Sequence, residues 1–107
     1  MEDMNYSEDF RIIALAGNAR SKSIQALSAA RKKDFENADR LLEEARQEMK
    51  DVHSVQHKLL SSGYLNSERE VNILTVHGQD HLSMAIVTYD LVTELVELLR
   101  QKEETQA

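Results

Sequence analysis

Two histidines and an aspartate lie close together in the sequence between residues 73 and 84. His77 and His81 are four residues apart, and Asp80 follows His77 by three. Residues with these spacings project from the same side of an α-helix, so a helix here would bring two imidazoles and a carboxylate together. The surrounding sequence, ILTVHGQDHLSM, has the apolar spacing of a helix. We therefore expect this segment to carry the chemistry of the chain.

Three kinds of chemistry fit these side chains. His77, His81 and Asp80 could bind a metal ion, because i,i+4 histidines on a helix converge at ligand distance. Alternatively, one histidine could accept a phosphoryl group on a neutral ring nitrogen and pass it on. In the third interpretation, all three are structural polar groups with satisfied hydrogen bonds. The spacing of the residues does not choose between these alternatives.

The helix that would position these residues has two apolar stripes instead of one. Together they cover about 240° of the helix, which is twice what packing against one core requires. The first stripe, on the side of His77 and Asp80, comprises Ile73, Val76, Met84, Val87, Leu91 and Leu98. The second comprises Leu74, Leu82, Ala85, Tyr89, Val92, Val96 and Leu99. One stripe would pack within the protomer, and we expect the other to associate symmetrically in a homo-oligomer.

Asp80 acquires a particular role if the first stripe surrounds a symmetry axis. Each copy would then bring its carboxylate toward the others. Carboxylates that close together either take up protons or gather around a cation. A cyclic oligomer with Asp80 at its axis therefore predicts a bound ion or carboxylates that hold protons.

The composition limits both the fold and the classes of partner. The chain has 107 residues, three isolated glycines, no proline and no cysteine. This composition favours a single all-helical domain that spans residues 1–107. A net charge of −6 provides no positive field for nucleic acid, and no glycine-rich loop is present for nucleotide phosphates. Because the sequence shows neither a signal pattern nor a membrane span, we expect a cytoplasmic protein without membrane insertion.

The apolar periodicity predicts three helices in up, down, up order. The first begins after Ser7 and runs to about Arg31, and Asp34 can cap the second, which extends to about Leu60. Short loops make consecutive helices antiparallel neighbours, so we expect an all-α, antiparallel three-helix protomer. Gly17 would let another helix approach the first closely. The predicted inward stripe of the first helix is Ile13, Gly17, Ile24, Leu27 and Ala30.

The third helix is predicted to begin at a capping box formed by Ser67 and Glu70. Gly63, in the preceding loop, can stop the second helix. We expect the third helix to end at about Gln101. Residues 1–6 and 102–107 are then predicted to be frayed ends.

The segment from His77 to Leu82, HGQDHL, resembles the lactose/cellobiose-type IIA proteins of the bacterial phosphoenolpyruvate-dependent sugar phosphotransferase system. Two upstream segments share this resemblance, namely GNARS at 17–21 and DFENA at 34–38. Helix two adds VHSVQ at 52–56, which is similar to the family's histidine followed by glutamine three residues later. These motifs occur in the family's order, and the resemblance covers the chain from about Phe10 to Leu99.

The resemblance implies a homotrimer that acts as a phosphotransferase component. His77 would accept a phosphoryl group from the phosphocarrier HPr and pass it to a cysteine of the IIB component, for uptake of a lactose-, cellobiose- or chitobiose-type disaccharide through the IIC permease. His81 and Gln79 would orient His77 or contact the phosphoryl group, and His53 would approach from helix two. Asp80 would face the threefold axis, where the family binds a divalent ion, Mg²⁺.

Two positions depart from the family pattern. Gly78 stands where the family usually has alanine, and Ser83-Met84 follows the motif where the family usually continues with methionine and then threonine or serine. Neither change touches the first histidine or the aspartate. The alternative function is a non-catalytic trimeric metal-binding or regulatory adaptor that retains the fold. The sequence does not identify the sugar, because its specificity lies in other components.

Overall fold

The computed structural model describes residues 7–61 and 73–106, which form three α-helices. Helix α1 spans Ser7–Arg31, α2 spans Phe35–Ser61 and α3 spans Ile73–Gln106. The helices lie side by side in a rod with dimensions of 66 × 20 × 16 Å. The predicted all-α, three-helix architecture is confirmed for these residues.

Local hydrogen bonds build the tight connection between α1 and α2. Lys33 has a left-handed backbone with a φ of 66°, and its amide donates to the Ala30 carbonyl at 2.9 Å. The next amide, that of Asp34, donates to the Ala29 carbonyl at 2.9 Å, which closes α1 as a Schellman motif. The Asp34 carboxylate then accepts a hydrogen bond from the Asn37 amide at 3.2 Å. Asp34 therefore caps α2 as predicted.

Helix α1 packs along both α2 and α3, which contact each other much less. Small side chains on α1 allow both neighbours to approach closely. Its buried residues are Asp9, Ile12, Ala16, Ala19, Ser23, Ala26, Ala29 and Ala30. They pack against buried residues of α2, namely Ala38, Leu41, Ala45, Met49, Val52 and Val55, and against the inner side of α3.

The predicted inward stripe of α1 was mostly wrong. Ile24 is 51% exposed, and Ile13, Gly17 and Leu27 are only half-buried, whereas Ala30 is buried as predicted. The prediction followed the larger apolar residues, but alanines occupy the side between the other two helices. A Cβ added to Gly17 would meet no atom within 4 Å, so close packing within the chain does not account for this glycine.

Helix α3 uses its second stripe for the core. In that stripe, Leu82, Ala85, Val92 and Val96 are buried, with exposed fractions of 0–4%. The first stripe, called the free stripe from here on, faces solvent, and the exposed fractions of its six members range from 43% to 86%. The predicted division into an inner and a free stripe is therefore confirmed within a single chain.

Helix α3 extends past its predicted end near Gln101. It remains helical to Gln106, so the prediction of a frayed end was wrong for residues 102–106. These residues include no glycine or proline to stop the helix. An ion pair between Lys33 and Glu103, with 3.4 Å between nitrogen and oxygen, also joins this end of α3 to the α1–α2 turn.

Several sequence predictions lie outside the described residues. These are the capping box of Ser67 and Glu70, the stop signal at Gly63, and the frayed ends at residues 1–6 and 107. Among the described helices, none combines the length and the apolar character that crossing a membrane requires.

Candidate functional site

The candidate site lies at the N-terminal end of α3, beside the first turns of α1. These two helices run parallel, because α2 reverses the chain direction between them. Gly78 is buried against α1, where an added Cβ would meet the Asp9 carbonyl oxygen at 3.6 Å. The side chains of Ile12 and Ile13 would each lie 3.7 Å from that Cβ. Because Gly78 faces α1, the preceding residue, His77, lies to one side of the contact and is exposed.

His77 and His81 form a contact pair on the surface of α3. Their Nε2 atoms are 3.1 Å apart, and their rings are nearly perpendicular, with an interplanar angle of 88° and centroids 4.4 Å apart. His77 is exposed, whereas His81 is half-buried. A hydrogen bond between two Nε2 atoms requires a proton on one of them and a lone pair on the other.

The donor ring is assigned from the environment of His81. Its Nδ1 atom is buried and has no hydrogen-bond partner. Because a proton on this atom would have no acceptor, we assign the neutral tautomer that carries its proton on Nε2, where His77 Nε2 can accept it. On this assignment, His81 Nε2 donates to His77 Nε2. In the neutral pair, His77 then carries its own proton on Nδ1 and a lone pair on Nε2.

Gln79 lies on a different side of α3. Its Oε1 atom accepts a hydrogen bond from Nε2 of Gln56 on α2, at 2.8 Å and in a half-buried position. Gln79 follows His77 by two positions, which directs the two side chains about 200° apart around the helix. The structure thus brings Gln79 to Gln56 and not to His77 of the same chain. No sequence pattern signals this pairing, because the two amides belong to different helices.

His53 is exposed on α2 and forms no hydrogen bond or ion pair with another described residue. His57, one turn further along, has its Nε2 atom 3.4 Å from the hydroxyl oxygen of Ser61. Neither histidine of α2 contacts the His77–His81 pair. The expected approach of His53 to the site therefore does not occur within one chain.

Asp80 is exposed and lies in the free stripe of α3. In residues 7–61 and 73–106, no group of three histidine, cysteine, aspartate or glutamate side chains is arranged to hold a metal ion. The three-ligand site on one helix, one of the alternatives left open by the sequence, is thus not formed. One chain offers an ion at this position a single carboxylate, so a site for Mg²⁺, which prefers oxygen ligands, would require carboxylates from several copies.

Comparison with known proteins identifies the family. A family profile described as "PTS system, Lactose/Cellobiose specific IIA subunit" matches residues 8–100. The chain belongs to this family. Over 92 residues it is 38% identical to the PTS system lactose-specific EIIA component of Staphylococcus epidermidis, and the match covers 86% of this chain and 88% of that relative. The resemblance noted in the sequence is therefore confirmed.

Solved structures agree with this assignment. The chain is similar to the crystal structure of the PTS cellobiose-specific enzyme IIA from Bacillus anthracis, with a TM-score of 0.88, 30% identity, and coverage of 97% of this chain and 95% of that chain. It is also similar to a chain from the IIA(chitobiose)–HPr complex of the N,N′-diacetylchitobiose branch of the Escherichia coli phosphotransferase system. For that chain the TM-score is 0.77 and the identity 28%, with coverage of 95% of this chain and 99% of that chain.

Proposed function

We propose that this IIA protein is a phosphoryl carrier in which Nε2 of His77 accepts a phosphoryl group from HPr. The observation that carries the proposal is the His77–His81 pair, in which the Nε2 atom of an exposed imidazole lies within hydrogen-bond distance of a half-buried one. Membership of the IIA family supports this class of reaction. The similarity to a IIA chain solved together with HPr supports HPr as the donor.

The proposed transfer follows from the protonation of the two rings. The lone pair on Nε2 of His77 attacks phosphorus, a nitrogen–phosphorus bond forms, and the bond between phosphorus and the donor breaks. The proton of His77 stays on Nδ1, so the nucleophile needs no general base. His81 then donates its Nε2 proton in a hydrogen bond to a phosphoryl oxygen. In the second transfer, a cysteine of the IIB component attacks phosphorus, and Nε2 of His77 leaves with its electron pair.

The second transfer would connect this chain to sugar uptake. IIB would use the phosphoryl group to phosphorylate a disaccharide of the lactose, cellobiose or chitobiose type during uptake through the IIC permease. On this proposal the IIA protein binds neither the sugar nor a nucleotide. Its two partners are the donor HPr and the acceptor IIB, which would use the same exposed nitrogen in turn.

We also propose that three copies assemble around the free stripe of α3. Six large apolar side chains of this stripe are 43–86% exposed, and contiguous apolar patches on soluble proteins commonly mark interaction sites. Assembly around this stripe would bring three Asp80 carboxylates to the axis. An Mg²⁺ ion held by these carboxylates would offset their mutual repulsion and so serve the assembly.

Phosphorylation tests the carrier proposal directly. After incubation with enzyme I, HPr and phosphoenolpyruvate, the intact mass should rise by one acid-labile phosphoryl group in the wild type and remain unchanged in His77→Ala. His53→Ala and His57→Ala, which alter exposed histidines of α2, are matched controls and should retain the phosphoryl group. A wild-type protein that stays unmodified would overturn the proposal and favour the non-catalytic adaptor.

Sedimentation and metal analysis test the assembly. The wild type is expected to sediment as three chains and to retain a divalent ion after exhaustive desalting, whereas Asp80→Leu should lose the ion. Assembly of Asp80→Leu should also become independent of added Mg²⁺, because the carboxylates that repel one another are gone. A wild type that remains a single chain at micromolar concentration contradicts the trimer, and a trimer that never retains an ion contradicts the metal site.

A further inference from the structure

Charges of opposite sign border the free stripe of α3 on its two sides. On one side, Arg20 of α1 is exposed. It lines a shallow depression together with four residues of α3, namely Ser83, Met84, Val87 and Thr88. On the other side, Asp90 and Glu94 are exposed on α3. Within the described part of the chain, none of these three charged groups forms an ion pair.

The helix positions establish which side is which. Around α3, Gly78 faces α1 and the next residue, Gln79, faces α2. At about 100° per residue, Thr88 lies about 80° from Gly78 in the direction away from Gln79, which is the side of the stripe nearer α1. Ile86 packs against core clusters that include α2 residues, and Asp90, four residues later, lies on the same side of α3 as Ile86. The stripe thus has a cationic border toward α1 and an anionic border toward α2.

We propose that, in the trimer, Arg20 of each copy forms an ion pair with Asp90 of the next copy, with Glu94 one turn further along. This inference rests on the trimeric assembly proposed above. When parallel α3 helices are related by rotation about a common axis, the α1 side of one copy faces the α2 side of the next. Every seam would then join a cationic border to an anionic one.

The axial positions allow this contact. Because Arg20 shares its depression with Ser83, Met84, Val87 and Thr88, it lies at their level along the rod. Rotation about an axis parallel to α3 keeps each residue at the same level in every copy. Asp90 is two residues beyond Thr88, a rise of about 3 Å along a helix, and an arginine side chain easily spans that offset.

The same charges disfavour the simplest competing arrangement. A twofold dimer with antiparallel α3 helices would also cover the stripe, but it would place the α1 side of one copy against the α1 side of the other. Cationic borders would then face each other, and so would anionic ones, and like charges brought together across an interface weaken binding. The apolar stripe favours association in general, whereas its charged borders select parallel, rotational packing.

Charge reversal tests the proposed pair. Arg20→Glu and Asp90→Arg should each lower the trimer association constant about ten- to a hundredfold at low salt, since three seams are affected at once. The double variant should recover to within about threefold of the wild type, because the pair is restored with reversed polarity. The readout is the association constant from sedimentation equilibrium, which does not depend on phosphoryl transfer.

A matched control separates pairing from net charge. Arg11→Glu makes the same change in charge at an exposed position of α1, nine residues from Arg20 and so about half a turn around the helix; its association constant should equal that of the wild type. The proposed ion pair would be overturned if Arg11→Glu lowered the trimer association constant as much as Arg20→Glu does. It would also be overturned if the double variant lost as much affinity as the product of the two single losses. If circular dichroism shows that a charge-reversed variant is unfolded, the neutral variants Arg20→Gln and Asp90→Asn are used in its place. Independent effects of these two substitutions on the association constant would also overturn the proposed ion pair. A wild type that stays monomeric would overturn the trimer itself.

Discussion

The inner and outer faces of α3 carry similar residues but make different contacts. On the inner face, Leu82 and Val96 are 4% and 2% exposed, whereas on the outer face Val87 and Leu91 are 57% and 60% exposed. The inner face belongs to the core of one chain, and we propose that the outer face belongs to the contacts between copies. Folding of the protomer and assembly around α3 are therefore expected to be separable.

The largest expected effect comes from placing the same charge on each face. Leu82→Asp would bury an unpaired carboxylate in the core, and we expect this variant not to fold, because burying a polar group without a partner and losing a packed leucine each cost several kcal/mol. Leu91→Asp should keep the helical circular dichroism signal but sediment as a single chain. Equal loss of helix in both variants would contradict the separation of the two faces.

A smaller effect on stability is expected from the hydrogen bond between Gln56 and Gln79, on the side of α3 that faces α2. Gln79→Leu leaves the half-buried Gln56 amide without its partner, which should lower the free energy of unfolding by about 1–3 kcal/mol. The double variant Gln56→Leu, Gln79→Leu removes both amides and should recover most of that loss. Urea denaturation of the single and double variants measures the coupling, and additive losses would show that the bond contributes nothing.

Replacing either of the two helical glycines by alanine is expected to change the free energy of unfolding by about 1 kcal/mol. Gly78→Ala should raise the free energy of unfolding by about 1 kcal/mol or slightly more, because the new Cβ adds contacts with α1 at ordinary distances of 3.6–3.7 Å. Gly17→Ala fills open space, so its gain should come from helix propensity alone. Urea denaturation of both variants checks this order, and destabilisation by Gly78→Ala would show that α1 packs more tightly there than the structure indicates.

The smallest expected effect lies on the α1–α2 surface, away from both faces of α3. The hydrogen bond from Arg40 at 2.6 Å, assisted by Lys22, lowers the pKa of Glu44 from its ordinary value of 4.5. A carboxyl whose folded pKa is lowered contributes stability above its unfolded pKa and loses that contribution as pH falls through the folded pKa. Glu44→Gln should therefore flatten the decline of the urea midpoint slightly below about pH 4.5. Identical pH profiles for the two proteins would contradict this contribution.

Much of the fold could be predicted from local features of the sequence. The cap at Asp34, the absence of proline and the 3.6-residue periodicity identify the number, order and approximate bounds of the helices. The same periodicity separated the inner and outer stripes of α3. It also placed His77 within one turn of His81, because i,i+4 neighbours on a helix meet whatever the rest of the chain does. The motifs were specific enough to identify the family.

Contacts between helices decided the rest. The inner side of α1 follows its alanines because two helices pack against it at once. Of the larger apolar residues that suggested another stripe, Ile24 is exposed, and Ile13 and Leu27 lie only at the margin of that contact. Gln79 pairs with Gln56 on α2, and the burial of His81 Nδ1 is the basis on which the donor histidine is assigned. Helix periodicity can be read from neighbouring residues, whereas burial and pairing depend on residues far apart in the chain, and only the packed structure brings these together.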